Sequence, residues 1–201
     1  MRMRDTATGK TYFRKLRRSP KPEEVELGQA YELTFSCYHR FQFLSRDRTR
    51  QWFVEALAEA RRKSSFDLWA YVIMPEHVHV LVYPRAKETT VGRIRSAIKE
   101  PVARKAIAYM EENAPEWLPK ITVREGQRLR RRFWQPGGGY DRTAIKIETV
   151  HSMIDYIHEN PVRRNLVNCA TDWEWSSARW YAGLSPVLIE MDRTLPTKYE
   201  L

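Results

Sequence analysis

Two apolar runs that meet at a proline constrain the fold of this chain more than any other feature. "FDLWAYVIM", residues 66–74, is stopped by Pro75, and "HVHVLVY", residues 77–83, returns from it and is closed by Pro84. Proline has no N–H to give a ladder, and Pro75-Glu76 can form a tight turn, so the two runs predict a β-hairpin. Successive side chains of a strand point to opposite faces, which puts Val78 and Val80 on one side and His77 and His79 on the other. Two imidazoles on one face can converge on a single ion; two half-exposed histidines without a chemical role are the alternative. Two histidines hold a catalytic divalent ion poorly unaided, so a third ligand has to come from elsewhere in the chain. No HExxH is present, and His158-Glu159 lacks the second histidine that such a zinc site needs.

The flanking segments build outward from the hairpin. "AYELTFSCYHR", from Ala30, carries β-branched and aromatic residues with partial alternation and reads as a strand. "RDRTRQWFVEALAEARRKSS" places Phe53, Ala56, Leu57 and Ala60 at helical spacing. After the hairpin, "TTVGRIRSAIKEPVARKAIAYMEEN" puts Val91, Ile94, Ile98, Val102 and Ile107 near one face of a long helix, with Pro101 as a kink. Its other face carries Arg93, Arg95, Lys99, Arg104 and Lys105. "REGQRLRRRFWQPGGGYDR" is basic, and its glycine run implies a flexible or sharply turned loop. "IKIETVHSMIDYIHENP" predicts a helix ended by Pro161, and "DWEWSSARWYAG" an aromatic closing segment with Trp173 and Trp175 in the core. Strand, helix, hairpin and helix in that order give an α+β fold, a small antiparallel sheet with helices packed on one face.

With 201 residues and 42% hydrophobic content the chain suits one domain, residues 29–185, between an N-terminal arm at 1–28 and a C-terminal tail at 186–201. The arm is basic and without periodicity, either a segment that orders only on binding or a leader with no role. The 35 Lys and Arg exceed the 25 Asp and Glu by enough to give a formal charge of +10, which favours an anionic partner, most simply nucleic acid. Cys37 and Cys169 are far apart and form no CxxC, so no disulfide framework or zinc knuckle is implied. No apolar leader and no run long enough for a bilayer appear, which points to the cytoplasm and away from membranes.

In the helix before Pro161, Ile147, Val150, Ile154 and Ile157 mark the buried stripe, and Tyr156 lies well off it. Tyr156 and Asn160 are four apart and share one helix face. A tyrosine can form covalent intermediates and a cation can assist it, so the two could be a nucleophile and a metal ligand. By spacing alone the reading that prevails is an ordinary half-buried tyrosine and an asparagine near a helix C-terminus.

Four stretches in this order, "MPEHVHVLV", "FWQPGGGYDR", "DYIHENPVRRNLV" and "DWEWSSARWYAG", together resemble the single-tyrosine HUH transposases, and specifically the REP-associated tyrosine transposases of bacteria. "YELTFSCYHR" extends the likeness back towards residue 31. The resemblance implies a ferredoxin-like, RRM-like sheet, with His77 and His79 as catalytic metal ligands, Tyr156 as the nucleophile and Asn160 as the third ligand of Mg²⁺ or Mn²⁺. It implies a 5′-phosphotyrosine intermediate on single-stranded or hairpin DNA, at work in the bacterial cytoplasm on the nucleoid. It leaves open whether one chain or a homodimer completes the site. Glu76 departs from the family, which often has Asn there, and sets an extra carboxylate beside the histidines.

For DNA contact the candidates are Arg93, Lys99, Arg130, Arg131, Arg132 and Arg142 on phosphates, and Phe133, Trp134 or Tyr140 on bases. Tyr140 is also a rival nucleophile, though a glycine-rich loop holds a group less rigidly than a helix does. Two other functional classes fit the same residues. One is a non-enzymatic RRM-like nucleic-acid binder; the other is a metal-dependent phosphoesterase in which the histidines activate water.

Overall fold

The computed structural model describes residues 2–4, 11–13, 27–137 and 140–195. Its elements in chain order are β1 (Arg2–Arg4), β2 (Thr11–Phe13), β3 (Ala30–Ser36), α1 (Asp47–Lys63), β4 (Phe66–Ile73), β5 (His77–Pro84), α2 (Val91–Asn113), α3 (Leu118–Ile121), β6 (Thr122–Glu125), β7 (Arg128–Arg131), β8 (Tyr140–Ala144), α4 (Ile147–Arg163) and α5 (Ala178–Tyr181). Of the N-terminal arm, only the antiparallel pair β1–β2 and residues 27–28 fall within the described residues.

The Pro75-Glu76 turn forms as read, and β4 and β5 pair antiparallel on either side of it. They belong to a four-stranded sheet ordered β4-β5-β3-β8, antiparallel throughout. The run β3-α1-β4-β5-α2-β8 follows the βαββαβ order of the ferredoxin-like motif. The α+β class therefore holds.

Tyr31, Leu33 and Phe35 of β3 and Val78, Val80 and Val82 of β5 point to one face, where they pack with Phe53 and Leu57 of α1 and Ile94, Ile98 and Val102 of α2. The opposite face carries a second core: Ala70, Val72 and Leu81 meet Val150, Met153, Ile154 and Ile157 of α4. Helices on one face only is thus an incomplete description, because the apolar stripe of α4 buries itself on the far side. A bulge between Leu68 and Ala70 switches the parity of β4: Phe66 and Leu68 face the first core before it, Tyr71 and Ile73 after it.

Three further differences have local causes. First, β8, "YDRTA", went unread because a short polar edge strand carries no alternation to detect. Second, α4 continues through Pro161 to Arg163: the proline forgoes a bond to the Ile157 carbonyl and lets only one further turn follow, and Asn165 at a φ of 54° closes the helix. Third, the segment assigned to a C-terminal tail is integral as far as residue 195. Ile189 and Met191 are buried in the first core, and Asp192 accepts hydrogen bonds from the Leu68 backbone N–H and the Arg61 guanidinium.

The aromatic segment after α4 covers the exposed edge of β4. Ser176 bridges to Val72, the Ile73 N–H donates to the Trp175 carbonyl at 2.9 Å, and the Ser177 N–H donates to the Tyr71 carbonyl at 3.0 Å. Trp175 is buried and Trp173 packs against both cores, as the sequence implies. Among the described residues no helix is long and apolar enough to cross a membrane.

Candidate active site

Cross-strand register assembles the site. On β5, His77 lies opposite Ser36 and His79 opposite Thr34 of β3; on the other side of β3, Glu32 lies opposite Arg142 of β8. Because strands alternate, Glu32, Thr34 and Ser36 share one face with the histidines while their neighbours sink into the first core. These residues, with Arg40, Arg142 and Tyr156, line a cleft of about 540 Å³. The histidines are not half-exposed: His77 keeps 7% and His79 5% of its surface, so their environment is set by the protein.

Each imidazole is held through Nδ1 by a carboxylate. His79 Nδ1 donates to Glu32 Oε1 at 2.9 Å, with Thr34 Oγ1 at 3.0 Å from the same nitrogen, and His77 Nδ1 donates to Glu76 Oε1 at 3.2 Å. This sets Nδ1 as the donating nitrogen and leaves Nε2 of both rings as the nitrogens that could coordinate an ion; a carboxylate behind an imidazole also strengthens it as a ligand. The two rings stand 5.0 Å apart, centroid to centroid, at 79°. Burial, reinforced by the neighbouring His79, lowers the pKa of His77 to about 4, so its ring is neutral near pH 7, the form a metal needs. Burial pushes the Glu76 carboxyl up, but His77, Arg164 and Arg40 together outweigh it and hold the group below the ordinary carboxylate range.

Helix α4, packed on the same face of the sheet as the histidines, brings Tyr156 to this pair. Its ring lies edge-on to His79, centroids 5.7 Å apart at 82°, and the Arg163 guanidinium sits 4.5 Å above its centroid. The helix is pinned two residues later: His158 is buried, and its Nε2 donates to Ser177 Oγ at 2.8 Å. The Ser177 hydroxyl in turn donates to the Tyr71 carbonyl and accepts from the Tyr71 N–H. The closing segment therefore sets where the tyrosine stands.

Other sequence candidates fall elsewhere. Asn160 is buried, but its Nδ2 donates to the Tyr156 carbonyl at 2.8 Å, and it is not among the residues lining the cleft. Among the described residues no group of three or more His, Cys, Asp or Glu is arranged to hold a metal. Trp134 is no base-stacking platform: it keeps 7% of its surface, packs edge-on to Phe35 at 5.1 Å and donates Nε1–H to the Lys99 carbonyl at 2.9 Å. Phe133, 1% exposed, is likewise core. Arg130 and Arg132 pair with Glu125 of β6, and Arg131 with Glu111 of α2. Arg93 donates to the Glu88 carbonyl at the start of α2, and the Lys99 ammonium lies 5.4 Å from the Phe35 ring centroid. None of these five basic residues lines the cleft. Tyr140 begins β8 opposite Thr34, and its side chain lies outside the described residues.

Among the proposed DNA contacts whose side chains are described, Arg142 alone reaches the cleft, donating Nη1–H to Glu32 Oε2 at 3.3 Å. Missed in the sequence were Glu32, Thr34 and Arg40. Glu32 and Thr34 could have been found from the alternation of β3 had its pairing partner been known; Arg40 sits in a 3-10 turn after the strand and carries no periodic signal.

No protein-family model matches the chain. A protein of Haemophilus influenzae named for the REP-associated tyrosine transposases is 26% identical over 154 residues, which span 68% of this chain and 77% of that one. A solved structure of a REP-associated tyrosine transposase bound to a REP hairpin superposes with a TM-score of 0.61 at 21% identity, covering 90% of this chain and 98% of that one. The chain accordingly shares its fold with that hairpin-bound protein. In both sequence and fold, then, the chain is similar to REP-associated tyrosine transposases.

Proposed function

We propose that this chain is a bacterial enzyme that nicks and rejoins single-stranded DNA beside hairpins, through a covalent 5′-phosphotyrosine bond to Tyr156. One observation carries the proposal: a helix-borne tyrosine faces a pair of buried histidines whose Nδ1 atoms are both occupied by carboxylates, within one arginine-rimmed cleft. The hairpin substrate is inferred from the likeness to the hairpin-bound transposase, and a cytoplasmic, nucleoid-associated setting belongs to the same proposal.

The histidines supply part of a donor set for a divalent ion: two imidazoles present Nε2 with the second nitrogen tethered. His77 and His79 would hold Mg²⁺ or Mn²⁺, which when bound would neutralise charge on the scissile phosphate and polarise its P–O bond. Asn160 joins as a third ligand only if its amide leaves the Tyr156 carbonyl. The Tyr156 oxygen attacks phosphorus in line and forms the Tyr–O–P bond. The P–O3′ bond breaks, and the departing 3′ oxygen takes up a proton. A second 3′-OH then attacks the same phosphorus and releases tyrosine, so the phosphodiester energy is retained and no external energy source is needed.

The test is a denaturing gel of the protein with hairpin oligonucleotides labelled at either end, in Mn²⁺. A covalent band that carries the label on the 3′ side of the nick, and that disappears in Tyr156→Phe, His77→Ala and His79→Ala but survives in Tyr140→Phe, is the expected result. Cleavage without a covalent band would favour water as the nucleophile. Salt-sensitive binding with no cleavage, unaffected by chelation or by loss of Tyr156, would favour a binding protein.

A further inference from the structure

The carboxylates behind the histidines are themselves held by arginines, and unevenly. Glu32 receives one guanidinium, from Arg142. Glu76 receives two on a single oxygen: Arg40 Nη2 at 3.3 Å and Arg164 Nη1 at 3.0 Å both reach Oε1, which also accepts from His77. Its Oε2 is buried without a partner among the described residues. Neither arginine is used up, since each touches Glu76 through one nitrogen, and their side chains remain 63% and 50% exposed. A guanidinium has five N–H donors in a rigid fork, so both retain a set able to grip a phosphate bidentately. Arg40 itself lines the cleft.

Resting on the reading of the cleft as a DNA-processing site, we infer that Arg40 and Arg164 form a phosphate-binding clamp for one DNA phosphate flanking the scissile one. Glu76 is their positioning residue. Two cations brought to one carboxylate oxygen are close enough for one phosphate to bridge, and their charge exceeds that of the single carboxylate between them. Because the same oxygen accepts from His77, the clamp is tied to the catalytic histidine. A backbone phosphate seated on the arginines therefore sets the register of the strand against Tyr156. Arg142 and Glu32 repeat the arrangement singly behind His79, on the other side of the pair.

The experiment measures binding without chemistry: Tyr156→Phe protein with EDTA, and a fluorescent hairpin oligonucleotide in which each phosphate near its foot is replaced in turn by a neutral methylphosphonate. At one position the replacement should weaken binding roughly tenfold or more. The Arg40→Gln/Arg164→Gln double variant should bind the unmodified DNA correspondingly less tightly, with a log–log salt slope smaller by about 0.7. It should also be indifferent to methylphosphonate at that position. Glu76→Gln leaves both cations but weakens the acceptor that gathers them, so it should shrink the penalty at that position and weaken binding of the unmodified DNA to match, with the salt slope retained. Arg40→Lys/Arg164→Lys should retain the salt slope, which separates lost charge from lost folding. Penalties that add to the arginine loss at every position would overturn the clamp while leaving the proposed function standing. Failure of the parent protein to bind DNA at all would overturn both.

Discussion

Acid should loosen the helix that carries Tyr156, and the group responsible is His158. It is a buried residue of α4 itself, and burial lowers its pKa to about 4 even though Asp155 nearby acts in the opposite direction. In the unfolded chain the same ring has its ordinary value near 6.5. Between those values the unfolded chain takes up a proton that the folded one refuses, so stability is complete above about pH 6.5 and declines as the pH falls towards about 4. The shift corresponds to roughly 3 kcal/mol from this one ring, at about 1.4 kcal/mol per pKa unit. His77 adds a loss of the same sign, so the wild-type profile alone does not isolate His158.

The comparison that isolates it is His158→Gln, whose amide can still donate to Ser177 Oγ. Urea unfolding of both proteins at steps from about pH 7 to about pH 4.5 should give a variant that is less stable at neutral pH but has a distinctly shallower decline. Parallel profiles would refute the assignment. The hydrogen bond from Nε2 to Ser177 predicts in addition that the tether between α4 and the closing segment opens first, visible as faster amide exchange at Ser177 in the acid range.

Other expectations follow from the packing and the site. Glu32→Gln replaces the acceptor behind His79 and should cut strand-cleavage activity about 10- to 100-fold with little change in DNA affinity, measured by single-turnover cleavage beside anisotropy. Trp134→Ala should cost about 3–5 kcal/mol in urea unfolding yet leave the DNA affinity of the folded fraction intact, because the ring fills the core. Chelation with EDTA should abolish the covalent band and spare binding. Asn160→Ala should retain the same Mn²⁺ dependence if its amide stays on the Tyr156 carbonyl; a large rise in the Mn²⁺ requirement would restore it as a ligand.

Much of this molecule was legible in its residues. Alternation about Pro75 determined the hairpin and put both histidines on one face, and the spacing of Ile147, Val150, Ile154 and Ile157 determined a helix with Tyr156 turned off its buried stripe. Those are local periodicities, readable because a strand repeats every two residues and a helix every 3.6. What the chain alone left open was which sheet face each helix covers and which distant residues meet. Glu32 stands behind His79 only because β3 pairs with β5 in one register, and Glu76 gathers Arg40 and Arg164 only because the 3-10 turn after β3 and the end of α4 converge on the same turn. Trp134 and the Arg130–Arg132 run show the converse. Composition offered them as DNA contacts, but tertiary packing put Trp134 in the core and opposed the arginines with Glu111 and Glu125. Charge and aromaticity belong to a residue, whereas its partners belong to the fold.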